Sequence, residues 1–246
     1  MKFAAVLLIL LAWTTPAAAQ VPDLRDLIPD GGSSVSARMI QYIALLTVLS
    51  VAPGLLIMVT SFTRLVIAFS FLRSGLGLQS TPANLVLVSL ALFLTFFIMS
   101  PVFEKAWKEG LQPYGANQIG DAEAFEKITA PFRAFMLKNV REKDLAMFEA
   151  IAKERNITIA PSADPDLRIL VPAFMISELR RGFEIGFLIA LPFLVIDLIV
   201  AMLTMTMGMM MLPPTVISLP FKVLFFVLID GWNLLVGSLV NSFILP

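Results

Sequence analysis

From Met39 to Leu72, and again from Leu85 to Phe103, the chain is almost free of charge over lengths suited to crossing a bilayer. A helix needs about 20 apolar residues to span about 30 Å of hydrocarbon, so the first stretch is long enough for more than one crossing. Similar stretches recur at Ile185–Met205 and Val216–Val240. Between the two pairs, from Glu104 to Arg181, lie most of the charged residues, with both signs mixed. The chain is 58% hydrophobic and 15% charged. Soluble domains average about 45–50% and about 25%, which makes a bilayer the expected solvent for much of this molecule. The expected fold is all-α: membrane-associated helical hairpins with broken hydrophobic helices, at 39–103 and 183–246, flanking a small polar helical domain at 104–182.

The residue inventory narrows the chemistry. With 18 basic and 18 acidic residues the formal charge is zero, which gives no electrostatic case for nucleic acid. Cysteine and histidine are both absent, which removes Cys/His zinc sites, thiol nucleophiles and imidazole-dependent triads. Carboxylates, lysine and serine remain. No cofactor and no metal is expected.

The first residues read as a signal peptide, 1–19. Lys2 supplies a positive start, Phe3–Trp13 an apolar stretch too short to span, and Ala17-Ala18-Ala19 a small-residue cleavage site before Gln20. A retained anchor is the alternative. A polar lead at 20–38 follows, broken by Pro22, Pro29 and Gly31-Gly32. Cleavage would leave the mature N-terminus outside, put the polar domain in the periplasm, and turn the bends near Gly77 and Met210 towards the cytoplasm. Arg73, the one basic residue at the first bend, agrees only weakly with that orientation.

Local signals refine the elements. Pro53-Gly54 predicts a bend, with a second helix continuing through Arg64 to Arg73. Gly75, Gly77 and Pro82 predict a turn. In the polar domain Phe132, Phe135, Met136 and Val140, and then Leu145, Phe148 and Ala152, follow helical spacing. Pro131 is expected in the first turn of its helix, and Asp164-Pro165 in a loop.

Four ionisable residues stand inside the apolar stretches: Arg64, Asp197, Lys222 and Asp230. Each costs about 2.5–3.5 kcal/mol at the centre of a spanning helix, so such groups face protein or water and usually pair. Two positive and two negative charges fit interhelical or intersubunit ion pairs; a proton or ion pathway is the other reading. Two intramembrane aspartates also evoke an aspartyl protease pair. Asp197 lies between Ile196 and Leu198 with no glycine-rich approach, and two nearby bases would keep both carboxylates ionised. Those features weigh against catalysis, and the chain is read as a non-enzyme.

Met205, Met207, Met209, Met210 and Met211 form the densest cluster of one side-chain type, ended by Pro213-Pro214. Thioether chains adapt to irregular surfaces, so the cluster reads either as a deformable apolar gasket or as ordinary packing. From the residues alone both remain open, as does an ion-coupled multi-span transporter subunit.

Several runs resemble the FliP family of type III secretion export gates. They are Ile57-Met58-Val59-Thr60-Ser61-Phe62-Thr63-Arg64, Leu92 through Pro101, Pro172-Ala173-Phe174 with Ser177-Glu178-Leu179, Leu191 through Asp197, Met207 through Pro214, and Leu219-Pro220-Phe221-Lys222 through Asp230-Gly231-Trp232. The match covers nearly all of 40–240 and is loose over most of 104–168. The resemblance implies a pore-forming subunit of the bacterial inner membrane and flagellar basal body. It implies a homo-oligomeric ring of five, assembled with FliQ and FliR and with other export-apparatus proteins. Unfolded export substrates would pass through, membrane lipid would surround part of the assembly, and much of the chain would face the periplasm. The resemblance also implies a gasket role for Met207, Met209, Met210 and Met211. The signal peptide and polar insert favour the flagellar branch over the injectisome counterpart. In such a ring Glu178, three residues before Arg181, is expected to make an intersubunit contact with Phe148 packed nearby. A local Glu178–Arg181 pair is the alternative.

Overall fold

The computed structural model describes residues 35–78, 81–155, 165–208 and 213–245. The expected signal peptide, the polar lead up to residue 34, and Met209–Met211 lie outside the described residues. The described elements are helical throughout: α1 (Val35–Met58), α2 (Phe62–Gly75), α3 (Asn84–Ala106), a π-helical turn (Trp107–Leu111), α4 (Gln112–Gly115), α5 (Asp121–Asn139), α6 (Glu142–Glu154), α7 (Leu167–Thr206), α8 (Pro214–Leu228) and α9 (Gly231–Asn241).

The chain divides into two compact units, 1–50 and 51–246. The described part of the first is helical and turns Met39, Ile40, Ile43, Leu46 and Leu49 outward as exposed apolar side chains. By length and composition, three helices among the described residues can cross a membrane: 39–58, 84–115 and 167–206. The bent pair α8–α9 makes a fourth candidate, its two halves at 65°. At 40 residues α7 is about 60 Å long, roughly twice a hydrocarbon core, so part of it lies beyond any bilayer it enters.

Four boundaries differ from the sequence reading, one of them the single stretch expected at Val216–Val240, which breaks at Ile229–Asp230 into α8 and α9. The helix does not bend apart at Pro53-Gly54 but continues to Met58, and the break falls at Val59–Ser61. There the Thr60 hydroxyl reaches the Ile57 carbonyl at 3.4 Å and the Phe62 N–H at 3.5 Å, the local side-chain competition that ends helices. Pro131 is not in a first turn but buried in the middle of α5, which begins ten residues earlier at Asp121. The expected boundary at 182–183 falls inside α7, because the switch in polarity there does not interrupt helical backbone.

The core of the larger unit is a close pair, α2 against α7. Gly182, Gly186 and Ala190 recur every four residues on α7, so they share one face. They meet Ile67, Phe71 and Gly75 of α2 in the same order, so the two helices run parallel. A Cβ on Gly186 would lie 2.6 Å from the Phe71 ring, and one on Gly182 3.1 Å from Ile67. Only small residues permit this approach, the packing logic of helix pairs in lipid. Around the pair sit Leu65, Phe69, Leu72, Phe135, Leu170, Phe174 and Phe193, all essentially buried. The polar segment packs on the same scaffold: α5 touches α3 and α7, and α6 touches α7.

Candidate functional site: two buried charge clusters and the α7–α8 junction

Arg64 lies in the first turn of α2, just after the Thr60-Ser61 break, and is fully buried. Its Nε donates to Glu178 Oε2 at 2.9 Å and its Nη2 donates to Glu178 Oε1. Glu178, on α7, is also fully buried. The pair is bidentate, the geometry in which guanidinium and carboxylate bind best. Arg64 Nη1 donates further, to the Ser242 carbonyl and hydroxyl, both at 2.8 Å. Its guanidinium carbon stands 3.7 Å from the centre of the Phe243 ring. One cation thus ties α2, α7 and the segment after α9.

That segment is held at three more points. Asn139, at the end of α5 and fully buried, donates from Nδ2 to the Ile244 carbonyl at 2.8 Å and accepts from the Ile244 N–H at 3.2 Å. Lys138 Nζ donates to the Leu245 carbonyl at 3.0 Å. Phe243 stacks on Phe135 with ring centres 6.2 Å apart. Nothing in the spacing of residues 64, 139, 178 and 242–244 signals this cluster. Asn139 closing a helix with a polar side chain is the one local hint.

The second cluster joins α7, α8 and the end of α2. Lys222 Nζ donates to Asp197 Oδ2 at 2.6 Å and to the Gly75 carbonyl at 3.0 Å. Ser218 Oγ donates to Asp197 Oδ1 at 2.5 Å. Lys222 is nearly buried, while about a third of the Asp197 side chain remains exposed. The lysine satisfies a carbonyl that α2 leaves open at its C-terminus, where cations are favoured. Phe193 packs on Phe225 and Phe226 one turn away and fixes the register of α7 on α8.

The structure therefore brings Asp197 and Lys222 together and separates Arg64 from Asp230. Arg64 takes its partner from the polar segment. Asp230, exposed at the α8–α9 bend with φ 51°, accepts from Asn233 Nδ2 at 3.2 Å and has no ion-pair partner among the described residues. Glu178 is not on an exposed face beside Arg181: it is fully buried, and both its oxygens are engaged by Arg64 of its own chain. Phe148 is half-buried on α6, the helix that packs on α7. Of the methionine cluster, Met205 and Met207 are described. Both are largely exposed at the end of α7, which Gly208 closes with φ 75°. An apolar cleft of about 480 Å³ opens beside them, lined by Ile199, Leu203, Met207, Ile217 and Phe221. Among the described residues no group of acidic side chains is placed to hold a metal.

Residues 45–239 match the FliP family. The flagellar biosynthetic protein FliP of Rhizobium meliloti (strain 1021) is 59% identical over 246 residues, which cover 99% of this chain and all of that one. Its counterpart in Agrobacterium fabrum (strain C58 / ATCC 33970) is 62% identical, over 98% of this chain and 99% of its own. In Bacillus subtilis (strain 168) the protein of that name is 54% identical, over 83% of this chain and 91% of its own.

Proposed function

The chain belongs to the FliP family, and from that membership we propose that it is a non-enzymatic subunit of the flagellar type III export gate. It sits in the bacterial inner membrane at the flagellar basal body. Copies of the chain, five to a ring, assemble with FliQ and FliR and conduct unfolded flagellar subunits outward. The observation that carries this reading is the distribution of charge and apolar surface. Both buried charge clusters are satisfied within the chain. By contrast Leu85, Phe93, Phe96, Phe97, Leu188 and Met202 stand exposed. Such surface needs lipid or protein to cover it. A chain that pairs its buried charges internally and leaves its apolar faces open suits packing against copies and companions in a membrane.

In this reading the methionines after α7 line the constriction. A hydrophobic constriction excludes water and ions, and thioether chains yield around a passing polypeptide of any sequence. Replacing Met209, Met210 and Met211 together by alanine tests it. Assembled complex at normal amounts, with a membrane leaky to small ions, supports a gasket. Normal amounts of complex with a tight membrane would remove it.

A further inference from the structure

We propose that the cleft between the end of α2 and the start of α8 is a binding site for a phosphate monoanion, such as the phosphodiester of an anionic phospholipid. The cleft encloses about 740 Å³ and is lined by Arg73, Ser74, Gly77, Asp197, Thr215 and Lys222, among others. Its charges do not cancel. Asp197, its one carboxylate, is taken by Lys222 Nζ and Ser218 Oγ. That leaves Arg73, which donates one N–H to Asn84 Oδ1 and has no carboxylate partner among the described residues. A guanidinium offers five N–H groups in a planar fork suited to phosphate. With one cation unmatched the cleft carries a net charge of +1 and is suited to an anion of −1.

Two further features supply donors for phosphate oxygens, and a third favours their charge. Lys222 has three N–H groups, of which two are engaged. The hydroxyls of Ser74 and Thr215 make no hydrogen bond among the described residues and are exposed at the cleft. Thr215 lies in the first turn of the 15-residue α8, where the helix dipole favours negative charge; Pro214 has no N–H and the Val216 N–H is taken by the Pro213 carbonyl at 3.1 Å, so the dipole and the Thr215 hydroxyl are what this turn offers. Gly77, with φ 77°, adds no side chain to the mouth; a Cβ there would lie 3.8 Å from Lys222 Nζ. Val216 and Leu219 line the α8 side of the cleft, and beyond them Phe221 and Leu224 stand exposed as apolar surface. A polar, basic hollow bordered by exposed apolar helix fits the phosphate of a lipid whose chains lie along α8. Basic pockets between membrane helices hold such head groups. The inference needs the chain to lie in a membrane and does not depend on the export reading.

The test is native mass spectrometry of the full chain, extracted in mild detergent, with defined lipid added back. The probes are phosphatidylglycerol, diacylglycerol of the same chains, and water-soluble glycerophosphoglycerol, a phosphodiester of charge −1. We expect phosphatidylglycerol to be retained in preference to diacylglycerol, Arg73→Gln to weaken retention about fivefold, and Arg73→Lys to restore most of it. Lys153→Gln, at an exposed lysine on α6 away from the cleft, should leave retention unchanged. Glycerophosphoglycerol displacing the lipid would support the site and assign recognition to the phosphodiester head group alone. Equal retention of diacylglycerol, or losses as large in Lys153→Gln as in Arg73→Gln, would overturn the proposal. If Arg73→Gln yields no protein, Thr215→Val with Ser74→Ala carries the same test: unchanged preference for phosphatidylglycerol would count against the site.

Discussion

Replacing Glu178 by alanine removes a carboxylate whose two oxygens both receive N–H groups from Arg64. Both side chains are fully buried, so water cannot take over. What remains in contact with Arg64 is neutral, the Ser242 carbonyl and hydroxyl at 2.8 Å and the Phe243 ring at 3.7 Å, while the nearby Arg181 carries a like charge. Breaking a buried pair by removing one partner costs about 3–5 kcal/mol, chiefly because a buried charge is left uncompensated. For a chain of this size each kcal/mol moves the melting midpoint by about 2–4 °C, so a fall of roughly 6–20 °C is expected. Glu178→Gln keeps the shape and one acceptor and should cost less, about 1–3 kcal/mol. Arg64→Met combined with Glu178→Leu removes both charges and should recover most of the loss, since apolar replacements of buried pairs are often neutral. The assay is thermal unfolding of the detergent-solubilised chain, followed by tryptophan fluorescence, beside native gels that report oligomer. A midpoint within about 2 °C of wild type in Glu178→Ala would refute the reasoning. Loss of oligomer with an unchanged monomer midpoint would return Glu178 to the role of an intersubunit contact.

Three further outcomes follow from the same geometry. Asp197→Ala or Lys222→Ala should each cost about 3–5 kcal/mol, and the swap Asp197→Lys with Lys222→Asp should recover part of it; two single losses that simply add, with no rescue in the swap, would show that the groups act separately. Gly186→Ala would place a Cβ 2.6 Å from the base of the Phe71 ring, costing about 1–3 kcal/mol despite better helix propensity; Phe71→Val should relieve it, and detergent-resistant helix association reads both. Asp166 caps α7, its Oδ1 accepting the Arg168 N–H at 2.9 Å, so Asp166→Ala should cost about 0.5–2 kcal/mol. The Arg168 side chain, and then its backbone N–H, hold the Asp166 carboxyl below the usual carboxylate range. That contribution is therefore present above the unfolded value of about 3.9 and lost as pH falls through the lower folded one. A wild-type advantage over Asp166→Ala that persisted below both values would contradict the capping account.

Much of the helical architecture is legible because apolar length is a strong signal: α3 follows from it, the turn at Gly77 from its glycines and proline, while the stretch read at Val216–Val240 divides into α8 and α9. The breaks are less legible. Pro53-Gly54 advertises an interruption, yet one missing helical N–H leaves α1 continuous, and the chain breaks where Thr60 offers its hydroxyl to the backbone. Polarity misled at residue 182 because side-chain charge describes the surroundings of a helix and not its ends. The charge pairs divide in the same way. Asp197 and Lys222 lie within one hairpin, 25 residues apart, so their pairing could be anticipated from two opposite charges on adjoining apolar helices. Arg64 and Glu178 are 114 residues apart and meet only because Gly182 and Gly186 let α2 and α7 run in close parallel contact. Glu178 stands in a charged neighbourhood, where one more carboxylate carries no sign of burial. The clasp of Asn139 on Ile244 has no sequence counterpart, since it depends on a backbone segment arriving from the far end of the chain.

The central claim is that this chain works as one of several copies in a protein-conducting gate. Its most direct test is the native mass of the complex drawn from the membrane of the flagellated cell in mild detergent. Five copies of this chain bound to FliQ and FliR are predicted. A stable monomer, or a small oligomer free of companions that still supports export of flagellar subunits, would contradict the claim.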